Sequence, residues 1–355
     1  MKKKIGTWRK RNGVAAVWAL LFVSMFAAGC SSESPEEYEA SAEYESAEEY
    51  EDAEEYEDAE GYEDLEEYGE DEEYEEDVDD TEVTTTERDF LSEEDYPMGT
   101  GFELDGKIVV VSIFLNDNTT SWDFNSEADK ETIMKLSGNM GLGMDWIAEQ
   151  GRKYGKDIEF IYNWDEDNEL FYALDIDCDF SKGESQTPEV KMLIDENFNE
   201  VSNKLLDKYE TENIFYVVYL NEKPDTKMTC HAMPFYGTEL GYNMPYEVVC
   251  LSNWVYGAEQ GPASYAHEIL HIFGAPDYYV ADTQGENYGI TQEFVDYCQG
   301  SDMINEIMCS TYDPYTNTIP KDRVTNDFSD LTAYYVGWID ECSMIDEFGL
   351  DETRH

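Results

Sequence analysis

Residues 31–80 carry 28 acidic side chains and no basic one, so no fold can bury this stretch without leaving carboxylates unpaired. Within it Tyr38, Tyr44, Tyr50, Tyr56, Tyr62, Tyr68 and Tyr74 recur every six residues. Six helical steps of about 100° put successive tyrosines on three different faces, so no apolar stripe forms. A strand would align them, but the intervening glutamates would repel one another. The expectation is a disordered, solvated spacer that spans at most ~200 Å, at about 3.3–3.6 Å per residue. The competing expectation is a polyanionic docking segment for a basic partner. Either way, the folding information lies elsewhere in the chain.

Ahead of the spacer, "MKKKIGTWRKRNG" precedes the apolar run "VAAVWALLFVSMFAA" and then Gly29-Cys30, which is the layout of an export signal over residues 1–29. This fifteen-residue run falls short of the roughly 20 that cross a bilayer. "AAGC" followed by "SSES" resembles the lipobox of bacterial lipoproteins, which implies a lipid on Cys30, a chain held at the outer face of the bacterial cell membrane, and residues 30–95 as an anchored linker. An ordinary cleaved signal would instead give a secreted protein. The formal charge is −61, of which −39 belongs to residues 81–355, so nucleic acid is excluded as a partner and the membrane is reached through the lipid only. Six cysteines follow Cys30; in an exported chain they allow up to three disulfides, and none forms a Cys-x-x-Cys pair.

Composition changes near Tyr96-Pro97, leaving residues 96–355 for the folded domain. "KIVVVSIFL" (107–115) and "IFYVVYL" (214–220) read as buried strands, with another at "YEVVCLS" (246–252). "DIEFIYNW" and "ELFYALDID" suggest a strand pair across the turn "DEDN". Helices are expected over 127–154, with a break at Gly138, Gly141 and Gly143, and over 196–208. This alternation predicts an α/β domain with a mixed, mostly parallel sheet. The Gly-, Asn- and Tyr-rich C-terminal part reads as an irregular lobe.

The chemistry concentrates in "YAHEILHIFGAPDYY" (265–279). His267 and His271 are i, i+4 on one helix face, so both imidazoles can meet one ion, and Glu268 sits beside them. Gly274 ends the helix and lets the chain turn, so Asp277 can swing back as third ligand. Rivals for that place are Glu293, Glu286, His231 and His355. "DIDCD" (175–179) puts Asp175, Asp177 and Asp179 on one strand face, a solvated face or a structural calcium site, though it lacks the glycine and distal glutamate of an EF-hand loop.

The extended pattern H-E-x-x-H-x-x-G-x-x-D resembles the metzincin clan of zinc peptidases, with aspartate where the usual pattern has a third histidine. Snapalysins carry that aspartate, and "GAPDYY" is similar to the "GLPDEY" segment of immune inhibitor A-type peptidases. "EIMCSTY" (306–312) looks like the clan's methionine turn, with Met308 thirty-seven residues past His271. The resemblance covers about residues 261–312. It implies a metzincin-like fold, a catalytic zinc on His267, His271 and Asp277, and a protein or peptide substrate laid against an edge strand.

Three protein ligands leave one position for water, which zinc acidifies toward pKa ~7. Glu268 is then the general base, and Tyr279 or Tyr312 is placed to stabilise an oxyanion. The expected activity is that of a zinc endopeptidase. The alternatives are a zinc aminopeptidase or other amide hydrolase, and a non-enzymatic surface binding lipoprotein with a metzincin-like fold.

Overall fold

Alternation along the strands explains the architecture. In a computed structural model, which describes residues 103–165, 168–180, 187–224, 230–233, 248–255, 257–282 and 289–351, the first apolar run is strand β1 (Gly106–Asn116), central in the sheet. Ile108, Val110 and Phe114 enter one core, and Val109, Val111, Ile113 and Leu115 enter the other. A strand covered on both faces needs apolar residues at every position, and β1 has them almost without interruption. The export signal, Cys30, the acidic repeat, Glu286 and His355 lie outside the described residues.

The sheet continues from β1 through β4 (Asn213–Leu220), which pairs parallel to it, and then β6 (Val248–Ser252), parallel to β4. The short β5 (His231–Met233) closes that edge antiparallel to β6. On the other side of β1 the expected hairpin does not form. Strands β2 (Ile158–Ile161) and β3 (Phe171–Asp175) both run parallel to β1, one along Gly106–Val109 and the next along Ser112–Asn116. The chain between them leaves the sheet and rejoins the same edge further along, because β1 is long enough to template two short strands in succession.

Helices cover both faces. The α1 helix (Glu127–Lys153) and α3 (Pro262–Ile272) lie on one side, and α2 (Thr187–Tyr209) packs on the other through Val190, Ile194 and Phe198. The α2 helix begins nine residues before the expected start at Glu196. Nor do its glycines break α1. A Cβ on Gly143 would sit 2.9 Å from the Pro262 carbonyl oxygen and 3.2 Å from the Ala266 nitrogen, so this glycine serves the close contact between α1 and α3 instead.

The C-terminal part is more ordered than expected. It holds α4 (Gln292–Gly300), a 3-10 turn (Asp302–Asn305), α5 (Asp330–Tyr335) and α6 (Ser343–Phe348). Trp338 Nε1–H donates to the Leu104 carbonyl at 2.8 Å, tying this part to the start of β1. The six cysteines are free thiols, distributed over both cores. No described helix is long and apolar enough to cross a membrane.

Candidate metal centre

Burial of α3 on nearly all sides explains its apolar character: ten of its eleven residues are buried, Ala266 and Leu270 among them, and Phe273 just beyond it is buried too. Gly261 precedes its first turn, where a Cβ would lie 2.2 Å from the Pro320 carbonyl oxygen; only glycine lets the 319–320 segment pass that closely. At the other end Gly274 has φ +96°, a region that favours glycine. Its N–H donates to His271 O at 3.0 Å, and Ala275 N–H donates to Leu270 O at 3.1 Å. The chain thereby folds back over the last helical turn and delivers Asp277 to the histidines.

Three ligand atoms converge. His267 Nε2 and His271 Nε2 are 3.1 Å apart, and Asp277 Oδ1 is 3.2 Å from the first and 3.3 Å from the second. A tetrahedral ion with bonds of ~2.0 Å has ligand–ligand separations of ~3.3 Å, so the triangle matches three corners of such a site. This is the one group of three or more metal-ligating side chains among the described residues.

The backbone sets which nitrogens face the centre of the triangle. His267 Nδ1 lies 2.9 Å from the Ile307 carbonyl oxygen, and His271 Nδ1 lies 2.7 Å from that of Ala275. A carbonyl only accepts, so each Nδ1 carries a proton, and each ring, when neutral, turns its Nε2 lone pair inward. Two imidazole nitrogens and a carboxylate at this distance could hold a metal ion. Burial opposes ionisation of Asp277 and His271, but the charges outweigh it. Asp277, beside His271 and His267, is held well below the usual carboxylate range, and His271 is raised to about 9 by Asp277 and its hydrogen bond.

Glu268 is 7 % exposed and outside the ligand triangle. Burial pushes its pKa up, with His267 and His271 pulling the other way, a balance suited to a group that takes and returns a proton. Tyr279 is 46 % exposed. Its ring stacks over His267 with centroids 6.3 Å apart, and its phenol hydrogen-bonds Asp277. By contrast, the Tyr312 N–H is held by Ser310 and its carbonyl by Asn326, and no described contact joins its phenol to the ligands.

Of the rival ligands, Glu293 is exposed in the first turn of α4 and does not join the group. His231 pairs with Cys250 across β5 and β6, and its ring lies 6.5 Å from Phe180. Both neighbours belong to the α2-side core, so His231 faces away from α3. Strand β3 ends at Asp175, so Asp177 and Asp179 follow it rather than continue one strand face; Asp175 accepts from Asn116 and Asp177 from Asn118, and among the described residues these carboxylates form no group of three metal ligands.

Met308 is fully buried, and its carbonyl accepts the Tyr278 N–H at 3.0 Å. The carbonyls of Ile307 and Ala275, which orient the two imidazoles, carry no side-chain signature that a sequence could display. Glu306 does carry one, an acid directly followed by two apolar residues in "INEIM", but it is one of 83 acids. Compared with family models, with curated proteins and with solved structures, the chain gives no match.

Proposed function

We propose that this chain is a zinc endopeptidase, displayed outside the bacterial cell on its acidic linker by a lipid on Cys30. The observation that carries the reading is the triangle of His267, His271 and Asp277, with 3.1–3.3 Å edges. Two imidazoles and one carboxylate in tetrahedral spacing suit zinc better than calcium, which takes six to eight oxygens. When bound, zinc would supply a Lewis acid that polarises the scissile carbonyl and acidifies a water.

This chain's own residues would do the rest. The Glu268 carboxylate accepts a proton from the attacking water and returns it to the departing amide nitrogen. The Tyr279 phenol, half-exposed beside the ligands, donates to the developing oxyanion. Substrate backbone adds to β5, the antiparallel border strand of the sheet among the described residues, by strand pairing. The resemblance to aspartate-bearing metzincins points the same way.

The test is cleavage of a mixed peptide library by the mature chain, with and without a zinc chelator, beside Glu268→Gln. Cleavage within peptides that disappears in both controls is the expected result. A folded, zinc-loaded chain that cuts nothing would favour a surface binding protein, and trimming from one terminus only would favour an aminopeptidase.

A further inference from the structure

We infer that Glu306 is the positioning residue of the metal centre, a buried carboxylate that locks the Glu306–Met308 turn so that it registers His267 and Asp277 together. The inference rests on the metal-site reading above and extends it to a residue that does not touch the metal.

Glu306 is 1 % exposed, and the donors around it are neutral. Met308 N–H donates to Oε2 at 2.6 Å. Oε1 receives Ser329 N–H at 3.3 Å, the Ser329 hydroxyl at 3.2 Å and the Thr332 hydroxyl. Burying a carboxylate is unfavourable without such donors, and an apolar side chain would fill the same space without that cost. What the carboxylate adds is direction, because it fixes the turn to the N-terminal end of α5.

The turn then reaches the ligands by two routes. The Ile307 carbonyl holds His267 Nδ1 at 2.9 Å. The Met308 carbonyl accepts Tyr278 N–H at 3.0 Å, which anchors the residue next to Asp277. Tyr278 closes the ring, since its phenol lies 3.0 Å from the Thr332 hydroxyl that donates to Glu306. On the outer side, Ile307 N–H donates to Asp327 O and Asp327 N–H to Asn305 O, each at 2.9 Å. His271 takes its register from Ala275 instead. Loosening Glu306 therefore shifts two of the three ligands relative to the third.

The experiment measures zinc affinity by chelator competition, and the cobalt(II) absorption spectrum, on the full chain and on Glu306→Ala, Glu306→Gln and Thr332→Val. Glu306→Ala should weaken zinc by about 10- to 100-fold, as loss of a group supporting metal ligands does, and change the cobalt band. Glu306→Gln should stay within about threefold, because its oxygen can take Met308 N–H while its NH₂ donates to the two hydroxyls, leaving only the long 3.3 Å contact from Ser329 N–H unmatched. Unchanged zinc affinity and cobalt spectrum in a folded Glu306→Ala chain would overturn the inference, as would a Gln variant as weak as the Ala one. If Glu306→Ala does not fold, Thr332→Val decides: several-fold weaker zinc supports the ring and wild-type affinity overturns it. A wild-type chain that binds no zinc removes the metal-site reading and this inference with it, whereas wild-type binding with an insensitive Glu306→Ala removes the inference alone.

Discussion

The two faces of the sheet are built on different principles. Against α2, the core is almost wholly apolar, with Val109, Val111, Tyr216 and Val218 meeting Val190, Ile194 and Phe198; its internal polar pair, Ser202 and Tyr216, hydrogen-bond each other at 2.7 Å. Against α1 and α3, the core encloses His267, Glu268, Glu306 and Thr332. There His267, Glu306 and Thr332 are matched to a backbone carbonyl, hydroxyls and one another. One face is held by area removed from water, which tolerates small shifts. The other holds its ligand atoms in register through directional bonds, which do not.

That contrast can be broken experimentally. The largest effect should come from Glu268→Gln, which removes a proton carrier: peptide cleavage falls by about 10²- to 10⁴-fold, while zinc affinity and melting temperature stay near wild type. Retained cleavage would displace Glu268 from the chemistry. On the opposite face, Phe198→Ala should cost ~3–5 kcal/mol of stability through the cavity it leaves, read by denaturant unfolding, with zinc affinity in the folded chain unchanged. A loss of metal binding there would mean that the faces are not independent.

Gly143→Ala sharpens the comparison, because it brings a methyl group 2.9 Å from the Pro262 carbonyl oxygen and must displace α3. Overpacking of this kind costs ~1–3 kcal/mol, and here zinc affinity should fall as well. The smallest effect is in pH. In chelated protein His271 keeps its proton up to about 9, above its unfolded value of ~6.5. The raised value stabilises the fold fully below ~6.5, and this contribution is lost as pH rises through about 9. Melting temperature should therefore decline across that window, and Asp277→Asn should flatten the decline.

Much of this was legible because it is periodic. Runs such as Val109–Val111 and Phe215–Val218 could only be strands buried on both faces, and the i, i+4 histidines with Gly274 and Asp277 specified a helix, a turn and a returning carboxylate. What escaped was non-local. Three glycines in α1 read as a break, because nothing nearby in sequence shows that Gly143 meets Pro262. "DEDN" read as a hairpin, because a turn signal does not say whether the next strand reverses or rejoins the same edge of β1. Rival ligands His231 and Glu293 were separable only once β5 had turned one toward Phe180 and α4 had left the other in solvent. Glu306 was hidden by the acidity of the whole chain.

The most direct test of the central claim is X-ray absorption at the zinc edge of the zinc-loaded chain, compared with Asp277→Ala. The account predicts only nitrogen and oxygen neighbours at about 2.0–2.2 Å, the outer-shell scattering of two imidazoles, and a lost oxygen ligand with much weaker zinc retention in the variant. Sulfur neighbours at about 2.3 Å, or a spectrum unchanged by Asp277→Ala, would contradict it.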